Sequence, residues 1–179
     1  MPREFTINFD PLSFVPYAGT TGALFVNHTV SNVPRPALGF DNATSQYAMS
    51  RAFEWPDEVG SGAVKAKIYF YAASAGASTN KEVVFKIAFE SETPGSGGID
   101  FYNGDQAPAF SGAAADNAFA ATTVSATAGH IIMVEATMSN LDDAAKGDIV
   151  RFRLMRDITG DDDLAEQAFV SLVTLYQVA

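Results

Sequence analysis

Apolar residues recur at every second position through most of this chain, and that habit restricts the fold more than any other feature. In "GAVKAKIYFYAAS" (62–74), Val64, Ala66, Ile68, Phe70 and Ala72 fall on one side of an extended backbone, with Lys65, Lys67, Tyr69 and Tyr71 on the other. Period two is the signature of a strand, whose successive side chains point to opposite faces. "KEVVFKIAFE" (81–90) repeats the pattern with Val83, Phe85, Ile87 and Phe89 against Lys86 and Glu90. The link between the two stretches is short, so an antiparallel hairpin is the simplest connection.

The alternation returns along the chain. Phe5, Ile7 and Phe9 make a first strand, and 23–30 reads as a second. Tyr47, Met49, Phe53 and Trp55 sit at odd positions, interrupted by Arg51. Further strands are expected at 119–126, at 130–139 (Ile132, Val134, Ala136, Met138) and at 148–157, where Val150, Phe152 and Leu154 point in and Arg151 and Arg153 out. "AFVSLVTLYQVA" (168–179) is apolar on both faces, which suggests a strand buried on both sides or one pairing at an interface. Between these lie breaker-rich stretches. "DPLSFVPYAGTTG" (10–22) reads as an extended arm, and "NVPRPALGF" (32–40) as a loop, because Pro34 and Pro36 each lack a backbone donor. Residues 91–118 read as a long surface loop with at most one short strand near 99–102. With roughly eight to ten strands and no amphipathic helix, the expected class is all-β: a two-sheet antiparallel β-sandwich of jelly-roll type. An N-terminal strand and extended arm (1–22) precedes a single domain (23–179).

A chain that is 47% hydrophobic with fourteen Phe can fill such a core. Twenty-one acidic against eleven basic residues give a net charge of −10. A field of that sign repels phosphate, so neither nucleic acid nor an anionic membrane is an expected partner. With no cysteine there is no disulfide, thiolate zinc site or cysteine nucleophile. The N-terminus shows no signal-peptide pattern, so synthesis in a cytoplasm is expected.

The chemistry is sparse. His28 and His130 are the only imidazoles, and both read as strand residues; no G-x-S-x-G elbow or H-E-x-x-H pair is present. Glu54, Asp57, Glu58, Asp100, Asp105 and Asp116 leave a glycosidase-type carboxylate pair open, although acidic loop residues more commonly only solvate. In "RDITGDDDLAEQ" (156–167) the EF-hand spacing fails, so the aspartates read as caps of a turn rather than calcium ligands. No catalytic residue, cofactor or metal is assigned. Tyr69 and Tyr71 leave three readings open: an oligomer contact, a sugar-stacking platform shared with Trp55, or a face packed under a loop.

"VKAKIYFYAAS…KEVVFKIAFE" and "AAKGDIVRFRLMRDITGDDDLAEQAFVSLVTLYQ" together resemble small jelly-roll virion proteins of tailed bacteriophages, the match being carried by Gly147, Asp148, Val150, Arg153, Arg156, Asp157 and Tyr176. The resemblance implies a non-enzymatic protein on the capsid surface of a virion, a homotrimer that decorates or cements the major capsid protein. The alternatives are a head-fibre or tail receptor-binding module contacting a host glycan, or a carbohydrate-binding module or carbohydrate-active enzyme. Candidate subunit or capsid contacts are Phe14, Val15 and Tyr17 of the arm, with Tyr69 and Tyr71. Arg153 and Arg156 are expected to pair with aspartates of the turn, Asp161 and Asp163, and so to fix the last strands in register.

Overall fold

The computed structural model describes residues 5–16, 22–30, 33–57, 59, 61–73, 81–95 and 116–178 (side chains of 16, 28–30 and 33 excepted). The strands are β1 (Thr6–Phe9), β2 (Phe14–Pro16), β3 (Leu24–Val30), β4 (Val33–Phe40), β5 (Gln46–Ser50), β6 (Phe53–Glu54), β7 (Val64–Ala72), β8 (Glu82–Val83), β9 (Phe85–Glu92), β10 (Asp116–Ala118), β11 (Thr122–Thr123), β12 (Ile132–Thr137), β13 (Ile149–Arg156) and β14 (Ala168–Gln177). Two six-stranded sheets pack face to face. The first runs β12-β7-β14-β4-β3, with β1 also on β14; the second runs β10-β9-β13-β5-β2, with β6 also on β13. Every pairing between named strands is antiparallel. From β4 onward the chain passes repeatedly from one sheet to the other, the wrapping of a jelly roll.

The alternating residues are the core. Ala66, Ile68 and Phe70 from β7 and Phe85, Ile87 and Phe89 from β9 are all at most 1% exposed. They do not form a hairpin: β7 pairs with β12 and β14, while β9 pairs with β10 and β13. The two strands meet across the core, for example where Phe70 meets Phe85 edge to face, centroids 5.1 Å apart. At the other end Phe9 and Phe14 pack edge to face on Phe152, and Trp55 on Phe5 and Phe89. Edge-to-face pairs of this kind add about 0.5–1.5 kcal/mol each beyond their buried area.

Three expectations change. The N-terminal segment is not a free arm through Pro16: β1 pairs with β14 in the first sheet, Asp10 caps a 3-10 turn at Pro11–Ser13, and β2 pairs with β5 in the second. Those residues stitch the two sheets together, because Phe9 and Phe14 are apolar enough to be drawn into the core. The odd-position stripe through Trp55 also fails. Gln46, Ala48 and Ser50 point inward, the strand breaks at Arg51–Ala52, and the parity resets so that Trp55 is buried at 1%. Thirdly, 33–40 is a strand despite its prolines. In the β3–β4 ladder Pro34 and Pro36 oppose Thr29 and Asn27. Both sit at alternate positions, so their missing donors fall on the edge of β4 that faces away from β3. Pairing of β4 with β14 accordingly covers only Leu38–Phe40.

In β14 the register shifts between Val170 and Leu172, with Ser171 as the extra residue. This bulge resets the alternation, so Phe169 and Leu172 face outward while Val170, Val173 and Leu175 face the core. The doubly apolar sequence of this strand reflects that reset. The stretch expected as a strand at 119–126 contains only the two-residue β11, and Asp116–Ala118 forms β10 inside the expected loop; residues 99–102 lie outside the described residues.

Candidate functional site

The outer face of the first sheet carries the side chains that the core does not use. Its upper half is apolar. From the β12 edge inward come Ile131 and Met133 (56% and 45% exposed), Tyr69, Tyr71, Phe169, Leu172, Ala37, Val26 and, on the β3 edge, Leu24 at 59%. The cross-strand register Met133–Tyr69–Leu172 and the pair Tyr71–Phe169 place them side by side. Tyr71 and Phe169 stack at 5.4 Å with an interplanar angle of 21° and are both buried, together with Ala37 and against Val26. Gly39 keeps this layer thin, since a Cβ there would lie 3.3 Å from the Phe169 ring.

A shallow cavity of about 200 Å³ opens beside Tyr71, lined by Arg35, Pro36, Ala128, Gly129, Ile131 and Ser171. Gly129 has φ +73°, a left-handed conformation that a side chain would strain. The Ser171 hydroxyl donates to the Tyr69 carbonyl at 3.1 Å, which leaves its oxygen able to accept. Arg35 is exposed. Among the described residues every lysine and arginine except Arg35 and Arg51 sits in an ion pair. Burial pushes the Tyr71 hydroxyl up from its ordinary pKa, partly opposed by the Arg35 charge nearby.

The lower half of the same face is polar. Glu135 of β12 accepts from Lys65 at 3.0 Å, lies 3.6 Å from Lys67, and receives the Tyr176 hydroxyl. Lys67 sits 4.6 Å from the Tyr176 ring centroid, so one face of that ring is taken. The Tyr176 hydrogen bond, then Lys65, holds the Glu135 carboxyl below its usual range. Burial and the bond to Glu135 push Tyr176 up to about 12.

The expected site residues scatter. Phe14 is 6% exposed in the core; Val15 points out from the second sheet at 50%; Tyr17 lies outside the described residues. Tyr69 and Tyr71 do share the outer face, but Trp55 is in the core and joins no platform with them. Arg156 does not pair with Asp161 or Asp163. It forms a forked pair with Asp162, Nε to Oδ2 at 2.9 Å and Nη2 to Oδ1 at 2.7 Å. Arg153 reaches across the second sheet to Asp116 at 3.0 Å and lies 4.8 Å from the Tyr47 ring centroid. Strand parity decides this, because Arg156 points into the sandwich end with Phe152 and Leu154 while Arg153 points out. Asp163 instead accepts from the Glu82 amide at 2.7 Å and pairs with Lys81 at 2.9 Å, and Asp161 is exposed. Asp162 and Asp163 thus cap backbone, accepting from the Val84 and Glu82 amides. Among the described residues no group of three or more His, Asp or Glu could hold a metal ion.

Of the carboxylates open to catalysis, Asp116 is held by Arg153 and Asp57 by Lys146, and Glu58, Asp100 and Asp105 lie outside the described residues. His130 is exposed in a turn. Sequence reading passed over Arg35, Ile131, Met133 and Phe169. The one available signal for Arg35 was its place between two prolines, where a strand would expose it.

No family model and no curated protein matches the chain. Among solved structures it is similar to an arabinose-bound MgGH51 α-L-arabinofuranosidase (11% identity, TM-score 0.47, covering 92% of this chain and 23% of that one). It is also similar to the CBM22-2 xylan-binding domain of Paenibacillus barcinonensis Xyn10C (13%, TM-score 0.47, 97% and 99%). A third is the Clostridium thermocellum xylanase 10B CBM22-1–GH10 structure with xylohexaose (12%, TM-score 0.41, 97% and 26%). The chain thus spans about a quarter of the length of the first and third. At this identity and TM-score the likeness carries no functional inference. The protein is an all-β, two-sheet antiparallel sandwich.

Proposed function

We propose that the protein is a non-enzymatic binding module that engages a glycan through the outer face of its first sheet. The carrying observation is the cavity beside Tyr71 with Arg35 at its rim. At about 200 Å³ it is below the roughly 300–1,000 Å³ of pockets for larger ligands, and it fits one sugar ring. Tyr71, Pro36 and Ile131 offer apolar wall to the C–H face of that ring, and Ser171 and Arg35 offer an acceptor and donors to its polar edge. An arginine without an ion pair, on a chain of net charge −10, favours a unit bearing a carboxylate. The non-enzymatic reading is supported by Asp116 and Asp57, two candidate carboxylates held in ion pairs with Arg153 and Lys146. Glycan-array binding of the purified chain tests the proposal. Arg35→Ala, an exposed change, is expected to weaken the bound acidic glycan by about tenfold or more. An array without a hit, or binding that Arg35→Ala leaves intact, sinks it.

A second reading, decoration of a capsid as a trimer, is favoured by Leu24, Ile131 and Met133. Exposed aliphatic side chains suit protein surfaces better than sugars. Co-sedimentation with emptied capsids, lost in Met133→Lys, would support it; a chain left in the supernatant would exclude it.

A further inference from the structure

Among the described residues the two main sheets end on β12, β3 and the four-residue β1, and on β10, β2 and the two-residue β6. An open edge is a row of unpaired N–H and C=O groups, and proteins blunt such edges by shortness, proline or charge. β10 and β2 are three residues long and β2 ends in Pro16; β12 carries Glu135. β3 has none of these devices. Its seven residues, "LFVNHTV", contain no proline, Asp, Glu, Lys or Arg, and its described partner is β4 alone. Leu24 and Phe25 stand 59% and 38% exposed on opposite faces of it.

The ladder also fixes which groups are free. Asn27 and Thr29 oppose prolines, so their pairs are the non-hydrogen-bonded ones. By the same parity Phe25, Asn27 and Thr29 aim their N–H and C=O at the open edge. The hairpin runs on past the last β4–β14 pair at Leu38, so its outer part is a two-stranded ribbon, an arrangement marginal in water. A third strand cannot join on the β14 side, where Pro34 and Pro36 lack donors. It can join on β3.

We propose that β3 pairs antiparallel with β3 of a second copy of this chain, making one continuous sheet across a two-fold axis. The same edge related by a two-fold axis is complementary to itself, each outward N–H meeting an outward C=O. Two chains of net charge −10 repel, and β3 is the long edge on which no carboxylate is brought to the junction. Leu24 and Val26 of both copies then extend the apolar band of the outer face.

Sedimentation velocity over a concentration series tests this. The expected species is twice the 19.0 kDa chain mass. Asn27→Pro removes an outward donor without touching the β4 ladder, and Asn27→Lys, at the middle of the seven-residue strand, sets like charges against each other across the axis. Each is expected to weaken the dimer by on the order of tenfold or more, with unchanged far-ultraviolet circular dichroism. Met133→Lys, on the opposite edge, leaves it unchanged. A wild-type monomer or trimer at about 100 μM overturns the proposal, as does a dimer indifferent to both β3 substitutions or broken by Met133→Lys.

Discussion

Asp162→Ala strikes an ion pair enclosed on both sides. The Arg156 side chain is 0% exposed and that of Asp162 1%. Besides its fork to Asp162, the guanidinium donates to the carbonyls of Glu166 and Leu164, both at 2.6 Å, and of Phe40 at 3.3 Å. It therefore ties the end of β13 to the end of β4 and to the loop leading into β14. Asp162 Oδ2 also accepts from the Val84 amide at 3.1 Å. Removing the carboxylate leaves a buried cation without its counter-charge, a loss of about 3–5 kcal/mol. The Val84 N–H left without an acceptor adds about 1 kcal/mol or more. Against a total stability of roughly 5–15 kcal/mol that is a large fraction of the whole. For a chain of this length Tm falls by about 2–4 °C per kcal/mol, so the drop is on the order of 10–20 °C. Urea unfolding followed by the fluorescence of buried Trp55 reads this directly. The double change Arg156→Met with Asp162→Leu removes both charges and costs clearly less than the two single losses added together. A single variant within about 1 kcal/mol of wild type would refute the reasoning, because a buried guanidinium stripped of its partner cannot be that cheap.

Three further outcomes follow. Stability is expected to fall in acid: the Ala145 amide bond to Asp148 and the Tyr176 bond to Glu135 lead the causes that lower those carboxyls, and at Asp157 burial, the largest single influence, is outweighed by the bonds from Lys86 and Thr159 together. Their stabilisation is full above the unfolded-state values near about 4 and is lost as pH drops through the lower folded values; a urea midpoint unchanged to about pH 2 would contradict this. Gly62→Ala sets a Cβ 1.8 Å from the Val178 carbonyl oxygen, so the end of β14 must move away from the start of β7, and a loss of about 2 kcal/mol or more is expected in thermal melts; an unchanged Tm would refute the close approach. At the alkaline end, Tyr176, raised to about 12, contributes stability that is present below about 10 and lost as pH climbs through the folded value. Ultraviolet titration should show a late-ionising tyrosine that disappears in Tyr176→Phe, and a titration identical to wild type would count against the Glu135 bond.

The side chains on the outer sheet face supplied the candidate site. Tyr69 and Tyr71 were legible because alternation assigns a face. Arg35 was hidden because its prolines read as a break, although prolines of one parity leave one edge of a strand intact. The aspartate turn was legible as a cap, yet which aspartate meets Arg156 was not. Three consecutive carboxylates offer the same chemistry, and only the path of the turn brings Asp162 inside.

By itself the sequence determined which residues of the most regular strands are buried. Val64 to Ala72, Val83 to Phe89 and Val150 to Leu154 lie in the core as their period requires. That much is local, since side-chain alternation is a property of one extended chain. Partnership is not local. β7 and β9, adjacent in sequence and alike in pattern, sit in opposite sheets because two apolar faces are satisfied equally by lying side by side or by facing each other. Closing the second arrangement over a common core buries the inward side chains of both strands completely. The bulge at Ser171, the inward turn of Asp162 and the open edge of β3 are likewise consequences of that closure, which sets which strand meets which and what is left without a neighbour.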